Sequence, residues 1–227
     1  MSRILAFTSE PSDWQALLAD PQKQWRMGYS ARTLAYSWES VDGFPPEVAA
    51  TFESATEPLL TDLTPLLAVP EFKVPLPGGS RASQNDLFVL ARSPAGPVVI
   101  MVEGKVNEPF GPTVGEWLTD ASRGKKARLR ALMRAVGLTT QPPASIHYQL
   151  LHRAASAVIT AEQYRAAAAV MLVHSFSQKH AWWDDYRAFA AQFGVVAERG
   201  VVQRIGADSP VPLFGVWVTG DSAYLEK

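Results

Sequence analysis

Asp86 and the triplet Glu103-Gly104-Lys105 are the residues of this chain best suited to do chemistry together. Two carboxylates suit a hard divalent cation: Mg²⁺ takes oxygen ligands, commonly one or two carboxylates, with waters and substrate phosphates completing its shell. Asp86 and Glu103 would supply the carboxylates and the carbonyl of Gly104 a third oxygen. Lys105 would hold or deprotonate a water beside the metal. The competing reading is a strand-end salt bridge on an exposed sheet edge, a pairing common in proteins and worth little. The run Val98-Val99-Ile100-Met101-Val102 weighs against it, because it has no polar alternation and reads as a strand buried on both faces. A glutamate and a lysine emerging from such a strand need compensation, which a cation site provides.

The elements that must position these residues are two strands. Apolar, β-branched runs over 85–92 and 98–106 bracket Ser93-Pro94-Ala95-Gly96-Pro97, the pattern of a hairpin spanning Asp86 to Val106. A loop centred near Ala95 sets Asp86 against Glu103, Gly104 or Lys105 across the ladder. Side-chain alternation puts Glu103 and Lys105 on one face.

Asp86 followed by Glu103-Gly104-Lys105 at the end of the next strand resembles the PD-(D/E)xK phosphodiesterase superfamily, which includes restriction endonucleases, repair nucleases and recombination exonucleases. Asn85 stands where that pattern has proline, a position without chemistry. The resemblance covers about twenty residues and implies an α/β fold, a restriction-endonuclease-like mixed β-sheet flanked by helices. It makes Asp86 and Glu103 ligands of Mg²⁺, or of Mn²⁺ in its place, and Lys105 the group that positions the attacking water. It also implies nucleic acid as partner and 5′-phosphate products, with a homodimer or larger complex as the form in which many relatives act. Gln149, in Tyr148-Gln149-Leu150-Leu151-His152-Arg153, is similar to a glutamine that braces the active site in some branches, and Arg153 lies on the same helix face. A further acid from a helix preceding the sheet is common among members, and Glu53 or Glu57 would fill that part. The strings Gln84-Asn85-Asp86-Leu87-Phe88 and Glu108-Pro109-Phe110-Gly111-Pro112 are also similar to an uncharacterised bacterial protein group, a similarity that supplies no role.

With 227 residues, 47% hydrophobic and 19% charged, the chain can bury a substantial core as one domain, 1–227. The net charge of −1 and pI near 6.4 give no global attraction to nucleic acid or anionic membranes, so a phosphate-binding surface must be local. The absence of cysteine excludes disulfides, thiolate nucleophiles, iron–sulfur clusters and Cys-based zinc sites. The longest apolar run, 166–173, cannot span a bilayer, and Met1 to Phe7 lacks the core of a secretion signal, so the expectation is a cytoplasmic protein without a membrane partner.

A helical N-terminal layer is expected over 1–69 and a nuclease-like core over 70–227. Ser30 is placed to cap a helix over 31–38, Pro45-Pro46 opens a second, and a third short helical stretch covers Pro58 to Leu67. The alternation of Glu71-Phe72-Lys73-Val74-Pro75-Leu76 predicts the first strand. Helices are predicted over 123–136, 146–158 and 182–193, with strands at 170–173, 195–203 and 213–219. The helix from Arg123 carries six basic residues, with Lys126, Arg130 and Arg134 stacked at fourfold spacing. Lys125, Lys126, Arg130 and Arg134 are therefore the candidate nucleic-acid contacts, against the plainer reading of a solvated helix face. The histidines form no metal pattern, His174 reading as a satisfied core or edge residue, and no phosphate loop or nucleophile elbow is present. Two functions follow: a metal-dependent phosphodiesterase acting on DNA or RNA, or a non-catalytic nuclease-fold protein serving as a binding or structural partner.

Overall fold

Pro94 and Ala95 form a two-residue reversal between strand β2 (Ser83–Ser93) and strand β3 (Gly96–Lys105), with Ser93 paired to Gly96. Gly96 takes φ +129°, and the Ser93 hydroxyl closes the turn by accepting from Ala95 N at 3.2 Å and donating to Gly96 O at 3.2 Å. Such a turn fixes register, and Leu87 pairs with Val102, so Asp86 comes opposite Glu103. These relations come from a computed structural model that describes residues 8–227. The segment Met1 to Phe7, read above for a secretion signal, lies outside the described residues.

Strand β1 (Thr64–Val74) pairs antiparallel with β2, and β3 pairs parallel with β4 (Ala168–Ser175). Beyond β4 lie β6 (Leu213–Thr219), parallel to it, and β5 (Gln203–Ile205), antiparallel to β6. The sheet is mixed and open, in the order β1-β2-β3-β4-β6-β5, and the fold is α/β. Helices α1 (Pro21–Gln24), α2 (Ser30–Glu39) and α3 (Pro46–Glu53) precede it. The crossover from β3 to β4 carries α4 (Val114–Leu118), α5 (Arg123–Ala135) and α6 (Tyr148–Tyr164), and α7 (Trp183–Ala191) follows β4.

Alternation along β3 divides the core. Val99 and Met101 join Phe88, Leu151, Val158 and Trp217 beneath the crossover helices, while Ile100 and Val102 join Leu34, Val48, Leu87 and Leu172 beneath the N-terminal helices. Every residue from Val98 to Val102 is essentially inaccessible, as expected for a strand covered on both faces. Fully burying side chains of this size stabilises by about 1.5–3 kcal/mol each, so both layers hold β3 rigidly.

Four local expectations are corrected. Pro58 to Leu67 is not a helix: a single 3₁₀ turn, Pro58–Leu60, precedes β1, whose pairing from Thr64 to Arg92 overrides local propensity, so the sheet begins before residue 70. Ser30 is the first residue of α2 and not its cap, which is Tyr29; the Ser30 N–H donates to Glu108 Oε1 at 2.7 Å. The strand expected over 195–203 is reduced to β5 and an isolated Arg199–Trp217 bridge. There the Gln203 side chain binds the backbone of Glu198 and Val196 in place of a ladder. Helix α6 extends beyond Val158 to Tyr164, ended by Arg165 in the left-handed region.

Candidate active site

The hairpin delivers Asp86, Glu103 and Lys105 to one cavity of about 490 Å³. Glu103 and Lys105 share a strand face, and both side chains are buried. Lys105 Nζ donates to Glu103 Oε1 at 2.6 Å and sits 4.8 Å from the centroid of the Phe110 ring. Gln149, in the first turn of α6, donates Nε2 to the same oxygen at 2.7 Å. One helical turn later Arg153 donates Nε to Glu103 Oε2 and Nη1 to Ser83 Oγ at 3.0 Å, with Nη2 3.6 Å from Asp86 Oδ1. Asp86 Oδ2 accepts from Gly104 N at 2.8 Å. A Cβ at Gly104 would lie 3.2 Å from Leu34 Cδ2 and 3.5 Å from Asp86 Oδ2, so a side chain there requires Leu34 to give way.

Glu71 of β1 lines the same cavity and extends the row of acids. It falls between the Pro70–Leu87 and Phe72–Asn85 pairs, opposite Asp86, and accepts a hydrogen bond from Gln84 Nε2. Its φ of +53° is in the left-handed region, uncommon for any residue but glycine and unexpected inside a strand. Acids from three adjacent strands thus meet in one cavity with two buried cations.

The electrostatics separate the three. Burial raises the Asp86 carboxyl well above the usual range, and the Glu103 charge raises it further. Burial pushes Glu71 up to about 7 against the pull of its Gln84 hydrogen bond. Burial alone would raise Glu103 too, but the charges of Arg153 and then Lys105 hold it down at about 2. Glu103 is therefore the fixed anion of the site, while burial favours the protonated forms of Asp86 and Glu71, whose carboxylates the protein itself leaves poorly compensated.

The donor set fits a hard divalent cation. Among the described residues Asp86 Oδ1 accepts no hydrogen bond, and Glu103 Oε2 spends one of its two lone-pair directions on Arg153. Among the described residues no three His, Cys, Asp or Glu side chains form a ready-made metal cage. A cation that keeps waters and shares substrate phosphates is held by one or two carboxylates without one.

Other sequence-predicted residues lie elsewhere. Lys125, Lys126, Arg130 and Arg134 of α5 do not line the cavity. Lys125 donates to Trp117 O at 2.8 Å, whereas Lys126, Arg130 and Arg134 are exposed. Arg128, from the same basic run, is buried and bound to the carbonyls of Leu76 and Pro77. Glu57 accepts from Leu59 N at its own 3₁₀ turn, and Glu53 borders a different cavity, so neither is the additional acid. His174 is fully buried, with Nδ1 accepting from Trp38 Nε1 at 3.2 Å and Nε2 2.9 Å from Glu47 Oε1.

Over residues 7–222 the chain matches the family model described as a domain of unknown function, DUF6946. The chain belongs to the DUF6946 family. No curated protein and no solved structure matches it. Two residues of this DUF6946 site escaped the sequence reading. In the sequence Glu71 reads only as part of an alternating strand, and its backbone conformation has no propensity signal in a glutamate. Arg153 was visible as a helix-face neighbour of Gln149, but not as the bridge between Asp86 and Glu103.

Proposed function

We propose that this protein is a metal-dependent phosphodiesterase that cleaves nucleic acid, a member of the PD-(D/E)xK superfamily. The observation that carries the reading is the convergence of Asp86, Glu103 and Lys105 at the end of one hairpin, with Gln149 bonded to Glu103. The antiparallel β1-β2-β3 meander, followed by a helical crossover to the parallel strand β4, supports the same reading. Asp86, Glu103 and the Gly104 carbonyl would hold Mg²⁺ or Mn²⁺, which would supply positive charge against the negative charge developing on the scissile phosphate. Gln149 and Arg153 fix the Glu103 carboxylate, and the Gly104 N–H fixes that of Asp86. Lys105, restrained by Glu103 and the Phe110 ring, presents the attacking water.

Glu103→Gln tests the mechanism, because the amide keeps the shape of the side chain and removes its charge. Metal-dependent cleavage of DNA and RNA probes is expected to disappear while circular dichroism shows the fold retained. Activity equal to wild type would rule the mechanism out. A second reading, a non-catalytic protein of the same fold acting as a binding partner, draws on the Arg153 guanidinium, which already compensates Glu103. Calorimetry separates the two, since that reading requires no Mn²⁺ or Mg²⁺ binding at Asp86.

A further inference from the structure

The cavity above the acids has two walls. One is the first turns of α6, with Gln149 and Arg153; the other is the segment from α1 into α2, which contributes Lys23, Gln24 and Tyr29. A volume of about 490 Å³ between them is of small-molecule size. Surfaces built for duplex backbones neutralise several phosphates with Lys and Arg. Here the wall offers Lys23, itself paired with Asp20 at 3.0 Å, and the basic face of α5 lies outside the cavity.

The wall instead carries an exposed aromatic group. Tyr29 is 39% exposed at the cavity, and Met27, two residues before it, is 60% exposed. The Arg26 guanidinium lies 5.9 Å from the Tyr29 ring centroid, with its Nε anchored on Gln22 O at 3.1 Å. Trp25, by contrast, packs against the core under the N-terminal helices. An accessible ring beside an anchored guanidinium, next to a walled phosphate-cleaving site, is a platform for a base freed from its stack.

We propose that the site takes a single-stranded polynucleotide segment, one base of which stacks on Tyr29 beside Arg26. The proposal rests on the phosphodiesterase reading. Tyr29 acts on substrate affinity, and Asp86, Glu103 and Lys105 act on the cleavage step.

The test uses the full-length protein with three fluorescent probes of one sequence: single-stranded DNA, single-stranded RNA and blunt duplex DNA. Binding is read by anisotropy without divalent metal, and cleavage is read with Mn²⁺. At least one single strand is expected to bind about tenfold or more tightly than the duplex, and Tyr29→Ala to weaken that binding about 5- to 100-fold. Tyr29→Phe, which keeps the ring, is expected to restore it. Equal or tighter binding of the duplex, or Tyr29→Ala binding like wild type, overturns the proposal. If Mn²⁺-dependent cleavage persists in that case, the phosphodiesterase reading survives alone. If instead the Tyr29-dependent binding is present and wild type cuts no probe, the stacking platform stands and the cleavage reading falls.

Discussion

Arg153→Met removes the charge that joins Asp86 to Glu103 while keeping most of the apolar stem of the side chain. Arg153 is 6% exposed and spends Nε on Glu103, Nη1 on Ser83 and Nη2 facing Asp86. Breaking a buried pair from one side leaves an uncompensated buried charge, at a cost of about 3–5 kcal/mol. In a chain of this size each kcal/mol moves the melting temperature by about 2–4 °C, so a fall of about 6–20 °C is expected without metal. Under the proposed function the variant has also lost the cation that would compete with a metal for Glu103 Oε2. Saturation to about a hundred times Kd adds about 2.7 kcal/mol to a fold that binds ligand, so at a fixed Mn²⁺ concentration the tighter-binding variant gains more than wild type. Differential scanning calorimetry with and without Mn²⁺ reads both effects, the second as a narrowing of the gap in melting temperature. A loss below about 1 kcal/mol, within reach of an ordinary surface change, would refute the account of Arg153 as the internal counterion. An equal Mn²⁺ shift in both proteins would refute the competition.

The pH dependence of Glu71 has a definite sign. Its folded carboxyl is raised from 4.5 to about 7, so between those values the folded chain holds a proton that the unfolded chain has released. Stability present below about pH 4.5 is therefore lost as pH rises toward 7, by up to about 3 kcal/mol, and Glu71→Gln lacks that loss. Urea denaturation at pH 5 and pH 7.5 should show the variant gaining on wild type at the higher pH; a constant difference would mean that the Glu71 carboxyl is not perturbed. Gly104→Ala places a methyl 3.2 Å from Leu34 Cδ2 and should cost about 1–3 kcal/mol by overpacking. Adding Leu34→Val should recover part of that, and failure of the pair to couple would show that α2 does not press on the hairpin.

The hairpin was legible because its determinants are local: two apolar runs, a Pro/Gly-bearing turn and strict alternation together set a register that placed Asp86 near Glu103. Helix α5 and the body of α6 were legible for the same reason, through apolar spacing. The start of β1 was not, because Pro58 to Leu67 reads as a short helical stretch, and Pro65 and Pro70 are tolerated in a strand only at the sheet edge, a property of the assembled sheet. The basic run from Arg123 reads as one patch, yet the fold divides it into exposed Lys126, Arg130 and Arg134, a buried Arg128 and a Lys125 bound to backbone. Residue type gave the charge, and only packing decided its use.

Several departures from local preference meet at the end of the hairpin. Among the described residues, Glu71 is the one non-glycine residue within a strand that has a left-handed backbone. Beside it, Asp86 is a carboxyl whose charged form is disfavoured by burial and by neighbouring carboxylates, and Glu103 and Lys105 are charges buried at the end of a strand otherwise made of apolar side chains. Each departure costs stability, and an apolar strand end would have avoided all of them. A cation entering the site would have to displace the protons that burial favours on Asp86 and Glu71, and would then supply the compensation that the fold leaves out. That unspent electrostatic demand, more than the short string of matching residues, is the physical reason to look for metal-dependent chemistry at this end of the sheet.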